Sequence, residues 1–413
     1  MKRRVVVTGI GAVTGLSCKV EDLWTRLLAG ESGIGPITLW DVSKYKVRFA
    51  GEVRNWTTDG YVNPKDAKRI DRFTQFAMVA GMDAVRDSGL DFAKEDPFRC
   101  GAIIGSGIGG LNEIEEQHTR LLDKGPDRVS AFTIPKLMAN AAAGHISIEY
   151  GLKGPSCAVA TACASAANAI GDAFRVVRGG YADVMVTGGS EAALTPMSMA
   201  AFANMRALSE RNDDPTRASR PWDQDRDGFV LSEGAGIRVL EELEHAKKRG
   251  AKIHGEVLGY GSTADAFRIT DTHPEGRGAI SCIKMALNDA GLNLDQIDYI
   301  NAHGTSTEVN DKVETLAVKK VFGERAYKIP VSSTKSMMGH LIAAAGATEL
   351  IVCLLAIRDK VLPPTMNYEN PDPNCDLDYI PNKAREAKCE YALSNSFGFG
   401  GQNITLIASG FKN

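Results

Sequence analysis

Apolar residues in this chain gather in short continuous runs more often than they alternate with polar ones. Val5–Val7, Ala102–Ile104, Val184–Val186, Ile253–Leu258, Tyr299–Ala302 and Ile404–Ala408 are such runs, and glycine commonly closes them. A strand with one wet face alternates, whereas a strand buried on both faces need not, so these runs predict buried strands. Helical patterns separate them, which predicts a layered α/β fold. The opening run Val5-Val6-Val7 is expected to be a strand that ends in a glycine turn.

The pattern repeats. Val5-Val6-Val7-Thr8-Gly9-Ile10-Gly11 resembles Glu256-Val257-Leu258-Gly259-Tyr260-Gly261, and a helix ending Asp87-Ser88-Gly89 resembles one ending Asp289-Ala290-Gly291. Ala158–Cys163 leads into a small-residue helix, as Pro330–Lys335 does later. Phe229–Gly234 is matched in the same way to Tyr391–Ser396. These similarities keep one order along the chain, which predicts two α/β halves, residues 1–250 and 251–413. The join falls where Lys247-Lys248-Arg249-Gly250 closes a helix with charge and glycine.

Composition narrows the class. With 44% apolar and 24% charged residues, the chain has the balance of a soluble globular protein. A net charge of -3 argues against nucleic acid and against a polybasic membrane anchor. The 8 cysteines include no C-x-x-C pair and the 7 histidines no H-x-x-x-H, so neither a disulfide framework nor a zinc site is expected. Thr8, Gly9, Gly11 and Thr14 break up the apolar stretch behind Met1-Lys2-Arg3-Arg4, so it does not read as a secretory signal. Leu341–Ile357 contains Glu349 and mixes small with large residues, as a buried core helix does. The protein is expected in the cytoplasm.

Cys163 stands where an apolar strand runs into an Ala-rich helix. The positive end of the helix dipole is expected to lower its pKa from the free-thiol value of about 8.5. First-turn N–H groups lack a helical acceptor and could donate to an oxyanion on a thioester carbonyl. His303 follows another apolar strand, and Lys335-Ser336-Met337-Met338-Gly339-His340 opens the helix beginning at Leu341. A helix N-terminus biases His340 toward the neutral imidazole. Neutral imidazoles suit enolate chemistry, because each can donate an N–H to negative charge without protonating the carbon nucleophile. Taken singly, Cys163 also reads as a small buried thiol, each histidine as a hydrogen-bonded core residue and Lys335 as a surface lysine. Two halves on one plan would bring the equivalent strand ends, and these residues with them, to one crevice.

The segments Gly154–Ser165 (GPSCAVATACAS), Asn301–Thr307 (NAHGTST), Ser332–His340 (SSTKSMMGH) and Asn395–Asn403 (NSFGFGGQN) together resemble the beta-ketoacyl-acyl carrier protein synthase family, specifically the synthase II branch of fatty-acid elongation. The likeness spans essentially the whole chain. It implies the thiolase fold, a duplicated five-layer α-β-α-β-α architecture, and a homodimer, with dimer and cap insertions in the first half. It makes Cys163 the acyl-accepting nucleophile, His303 and His340 the catalytic pair, Lys335 the residue that orders the site, and Phe399 a gate. The N–H groups of Cys163 and Phe399 become the oxyanion hole. The implied reaction is ping-pong: acyl transfer from a carrier-protein thioester to Cys163, decarboxylation of malonyl carrier protein, and condensation to a 3-oxoacyl thioester and CO2. It calls for no cofactor.

The resemblance also makes Ile108 a wall of the acyl pocket, and Thr270, Thr305, Thr307, Gly398 and Gly400 substrate-binding positions. Gly105-Ser106-Gly107-Ile108-Gly109-Gly110 has the form G-x-G-x-x-G, but the second acidic-ended strand of a dinucleotide site is missing downstream. Asn63-Pro64 is expected to cap a helix carrying Lys65, Lys68, Arg69 and Arg72. With Arg206, these residues are either a solvated face or the docking patch for an acidic carrier protein. Glu349 reads first as a satisfied structural carboxylate, and with Asn301, Ser394 and Asn395 it could border a monovalent-ion site. Arg268, Met338 and Gln402 depart from the family pattern at positions that line or flank the entrance, which leaves acyl length and carrier choice open. Rival readings are a polyketide or specialised-lipid ketosynthase, a non-catalytic chain-length partner, which Cys163 and both histidines oppose, and a Cys-His hydrolase.

Overall fold

Burial on both faces is what lets the apolar runs persist as strands. In the computed structural model, which describes residues 3–412, ten strands make one hydrogen-bonded main sheet among the described residues. Met1, Lys2 and Asn413 lie outside them. The first five strands are β1 (Val5–Thr14), β2 (Cys100–Gly105), β3 (Ser156–Val159), β4 (Val184–Glu191) and β5 (Gly234–Glu242). The second five are β6 (Gly255–Ala264), β7 (Tyr299–Asn301), β8 (Val331–Ser332), β9 (Tyr391–Gly398) and β10 (Gln402–Ser409). Their order is β8-β7-β9-β10-β6-β1-β5-β4-β2-β3. Read outward from the β1–β6 pair, both sets have the same sequence of neighbours and the same parallel or antiparallel sense. The duplication is thus a property of the topology.

The helices repeat as well. They are α1 (Arg72–Ser88), α2 (Ala141–Tyr150) and α3 (Ser165–Arg178), then α4 (Arg277–Ala290), α5 (Glu308–Phe322) and α6 (Ala345–Asp359). One outer core joins α1 and α2 to β1, β2, β4 and β5, and another joins α4 and α5 to the second five strands. Between the two sheet halves lie α3 and α6, each touching strands of both. This is the α-β-α-β-α sandwich. Residues Ala345–Ile357 of α6 are buried all round, as a helix between two sheets must be. No helix among the described residues is long and apolar enough to cross a membrane.

Three expectations need correction. First, β1 does not stop in a glycine turn but runs ten residues through Gly9 and Gly11. A Cβ at Gly9 would lie 1.9 Å from the Ala84 carbonyl oxygen, and one at Gly11 2.0 Å from that of Ala80. These glycines let α1 approach the sheet. Gly259 and Gly261 of β6 do the same for α4, with 2.3 Å to Ala286 O and 2.1 Å to Cys282 O. Second, Phe229–Gly234 is not the counterpart of Tyr391–Ser396. The latter lies in β9, whose topological equivalent is β4, while Phe229–Glu233 is a connection held by isolated bridges. The first half carries residues 192–233 between two strands that a tight turn joins in the second, so the similar tetrads fall out of step. Third, Asn63 caps only the short helix Pro64–Ala67, and Arg72 belongs to α1, where it pairs with the buried Glu233 at 2.6 Å.

The middle layer contains an unbalanced charge. Arg238 of β5 is fully buried, donates to the Ala347 carbonyl of α6, and has no partner for its Nε and Nη1. Burial pulls its pKa down to about 9. Replacing a poorly compensated buried charge with an apolar side chain of similar length commonly stabilises a protein by about 1–4 kcal/mol. Arg238→Met is therefore expected to raise the urea midpoint without changing the m-value, and a lower midpoint would reveal a strong partner for the guanidinium.

Candidate active site

Strand ends of both halves converge on one cavity of about 560 Å³. Cys163 reaches it from the turn after β3, His303 from the loop after β7, His340 from the segment after β8, and Phe399 from the β9–β10 turn. Since β3 and β8 are equivalent strands, the duplication explains why residues far apart in sequence share a wall.

The imidazoles of His303 and His340 lie edge to face, with centroids 5.3 Å apart at 85°. Phe397 packs on the first ring at 5.8 Å and Phe229 on the second at 5.3 Å. In each ring Nδ1 is buried without a partner, which leaves Nε2 as the nitrogen turned to the cavity. Burial, and then the charge of Lys335, holds both pKa values well below 6.5. The neutral state predicted for His340 is thus correct, but the cause is different. His340 does not begin a helix: it sits in an extended bridge to Leu231, its N–H on Val230 O at 2.7 Å, and α6 starts only at Ala345. Burial supplies what the helix dipole was expected to.

Lys335 is no surface residue, being 1% exposed. Its Nζ donates to the His303 carbonyl at 2.6 Å and to Glu349. Glu314 holds the same loop from the other side: it accepts the N–H groups of His303 at 2.9 Å and Gly304 at 2.8 Å, and Asn395 Nδ2 at 3.1 Å. The main chain of His303 is thus fixed by a cation on its carbonyl and a carboxylate on its amide.

Cys163 is half-buried in a 3-10 turn just ahead of α3. The thiol does not behave as its position before a helix suggests. Burial pushes it up to about 12, against the charge of Lys335 and the N–H groups of Phe399 and of Cys163 itself. The resting group is a neutral thiol. Those same two N–H groups point at the sulfur. Gly398 makes room for them, since a Cβ there would sit 2.6 Å from Thr161 O and 3.1 Å from the Cys163 nitrogen.

Ile108, Arg206, Thr270, Thr305, Thr307 and Gly398 also line the cavity, with a 2.9 Å contact between the Thr305 and Thr307 hydroxyls. Gly400 does not; Gly401 lines it instead, while the Gly400 N–H binds Ile269 O at 2.6 Å. Lys65, Lys68 and Arg69 are exposed on the surface. Met338 is 1% exposed in the middle core and not at the entrance, and Gln402 begins β10 outside the cavity lining. Arg268 is exposed and pairs with Asp271 at 3.2 Å. Asn301 and Ser394 are register partners facing the middle layer that also holds Glu349, whereas Asn395, one residue on, faces Glu314 and Thr405. Among the described residues no group of three or more His, Cys, Asp or Glu could hold a metal. The amides of the G-x-G-x-x-G loop are occupied by the chain itself, since Glu191 accepts Gly107 N–H at 2.8 Å.

Sequence reading passed over Glu314 and Glu191. Both are buried, and burial pushes each up to about 7. A signal existed for Glu314, because it and Asp311 occupy the apolar face of α5 among Val313, Ala317 and Val318.

The chain matches the profile described as Beta-ketoacyl synthase, N-terminal domain, over residues 2–246, and the corresponding C-terminal domain over 254–369. It is 53% identical to a 3-oxoacyl-[acyl-carrier-protein] synthase 2 from Synechocystis sp., covering 98% of this chain and 97% of that one. A protein of the same description from Coxiella burnetii is 51% identical, with 99% of each covered. Among solved structures, a type II polyketide synthase acyl-carrier protein in complex with its ketosynthase aligns at TM-score 0.93 and 36% identity, covering 100% of both chains. A Beta-ketoacyl synthase from Burkholderia phymatum aligns at 0.91 and 35%, covering 99% and 100%.

The depressed imidazole pKa values have a direct test. At about pH 6 a free imidazole is mostly protonated, so NMR at that pH should still find His303 and His340 in neutral form. Titration of either ring near pH 6.5 would contradict the geometry.

Proposed function

The chain belongs to the beta-ketoacyl synthase family, and from that premise we propose a reaction course for its cavity residues. The overall reaction is the elongation step of type II fatty-acid synthesis: an acyl thioester and malonyl carrier protein give a 3-oxoacyl carrier thioester and CO2. The single observation that carries the assignment of roles is the shared cavity of one thiol and two neutral, edge-to-face imidazoles.

Cys163 attacks the acyl thioester. A new carbon–sulfur bond forms, the bond to the carrier's pantetheine breaks, and the Cys163 proton ends on the departing thiol. With a resting pKa near 12, the sulfur must give up this proton during attack. The N–H groups of Cys163 and Phe399 hold the tetrahedral oxyanion, an interaction worth about 100- to 1,000-fold in rate. Malonyl carrier protein then enters. Its carbon–carboxylate bond breaks, and His303 and His340 donate to the enolate oxygen. Neither ring is an imidazolium that could quench the carbanion. CO2 departs, and the carbanion forms the new carbon–carbon bond at the acyl carbonyl as the bond from that carbonyl to sulfur breaks. Cys163 leaves as a thiolate that takes a proton from solvent to restore the resting thiol. Lys335 acts through its neighbours: its ammonium disfavours protonation of both rings and its bond to the His303 carbonyl fixes one of them.

The 53% identity to a 3-oxoacyl-[acyl-carrier-protein] synthase 2, against 36% to the ketosynthase of a type II polyketide synthase, favours fatty-acid elongation. For the carrier protein we infer docking on exposed Lys65, Lys68, Arg69 and Arg206, with Arg206 at the cavity mouth. A homodimer is the assembly we expect, because β3 ends the sheet with one edge unpaired and Leu122, Ile134 and Ile148 are 73%, 62% and 78% exposed. The reading places the enzyme in the cytoplasm.

Intact-protein mass spectrometry after incubation with acyl carrier thioesters should show an acyl increment that maps to Cys163. Cys163→Ala should gain none and condense more than about a thousandfold more slowly, and undiminished condensation in that variant would reject the assignment. Sedimentation at micromolar concentration should return twice the chain mass, and a monomer throughout would remove the dimer.

A further inference from the structure

The two halves solve one problem twice. In the second half the loop after β7 carries His303, and a buried carboxylate, Glu314, holds the loop by its amides. In the first half the equivalent strand is β2, and the loop after it is Ser106–Gly109. Glu191, at the end of β4 and 0% exposed, receives Gly107 N–H at 2.8 Å and Ser106 Oγ at 3.2 Å. The Ile108 and Gly109 N–H groups are directed at it too, and Ser106 Oγ also accepts Gly109 N–H at 3.1 Å. Such a nest of consecutive amides ordinarily takes an anion from solution. Here the chain supplies its own.

The loop so held presents Ile108, 38% exposed, to the cavity beside Cys163. It has little freedom. A Cβ at Gly105 would lie 2.4 Å from the Ser165 carbonyl carbon at the start of α3, and one at Gly107 2.9 Å from Glu191 Oε2 and 3.6 Å from the Ala162 Cα. The loop is therefore wedged between the carboxylate and the turn that bears the nucleophile. If its amides lose their acceptor, Ile108 is the side chain free to yield.

We propose that Glu191 is a positioning residue for acyl-chain selection, holding Ile108 as a fixed wall of the acyl cavity in the way that Glu314 holds His303. Glu191 touches neither acyl group nor reacting atoms. The inference rests on the condensing function assigned above and adds to it the buried carboxylate that fixes the loop bearing Ile108.

The test is kcat/KM for Cys163 acylation by acyl carrier thioesters from six to eighteen carbons, in wild type, Glu191→Gln and Ser106→Ala. Glutamine keeps the volume of Glu191 but turns a donor toward amides that need an acceptor. Ser106→Ala removes the hydroxyl bridge and decides the matter if the glutamine variant fails to fold. Both variants should shift the ratio of long-chain to short-chain kcat/KM toward long chains by about tenfold, the scale on which a hydrophobic pocket discriminates chain length. Decarboxylation of malonyl carrier protein, which depends on the histidines of the other half, should stay within about twofold of wild type. Folded variants that lose all chain lengths equally, or keep the wild-type profile, would overturn the proposal. Wild-type enzyme that takes no acyl group at Cys163 would instead overturn the parent reading.

Discussion

The Lys335 ammonium, sealed in the wall of the cavity, is the group on which the rest of the site depends. It is held by the Glu349 carboxylate and the His303 carbonyl, so the chain itself compensates its charge. It sits close enough to His303, His340 and Cys163 to act on all three, opposing a proton on either ring and favouring a negative sulfur. One fixed positive charge therefore reinforces the burial that keeps both imidazoles neutral and partly offsets the burial that makes the thiol a poor acid. The desolvation that would be a defect around an isolated charge is here the means of control.

The placement of that group follows from the duplication. Lys335 follows β8 and Cys163 follows β3, which are equivalent strands of the two halves. The fold has used one position for a thiol in one copy and for a cation in the other. The same economy holds at β2 and β7, whose loops carry Ile108 and His303 over buried carboxylates. Chemistry has diverged while the scaffold of strand end, loop and amide-bound anion has stayed.

Much of this was legible in the residues. The apolar runs marked buried strands because no polar face interrupts them, and three of the four internal similarities coincide with topological equivalents. The fourth failed because Phe229–Gly234 and Tyr391–Ser396 share side-chain order but not a place in the sheet. Short patterns do not reveal the long connection of residues 192–233. The glycines of β1 were misread for a related reason: a sequence shows missing side chains but not the helix backbone that occupies their space. Cys163 and His340 show the limit for electrostatics. Local position suggested a helix dipole, but the degree of burial, a property of the whole fold, decides the pKa of each. Glu191 was overlooked because a carboxylate bound mainly by backbone amides leaves no trace in neighbouring side chains, whereas the place of Glu314 on the apolar face of α5 was a usable signal.

The seam between the lobes is narrow. β1 meets β6 through only Val5–Val7 against Gly255–Val257. The remaining cohesion comes from α3 and α6 packed between the sheets and from residues 220–226, which bind Ser306, Asp311, Glu369, Asn370 and Asp372 of the second half. A slip of one residue along that seam would carry one lobe about 3.4 Å past the other. That distance exceeds the tolerance of a hydrogen bond, and it would separate sulfur from imidazole while leaving each lobe internally intact. Precision at the reacting atoms is therefore a matter of alignment between the two lobes, and the glycine-seated helices and the shared buried middle layer act as the fixture that holds them in line.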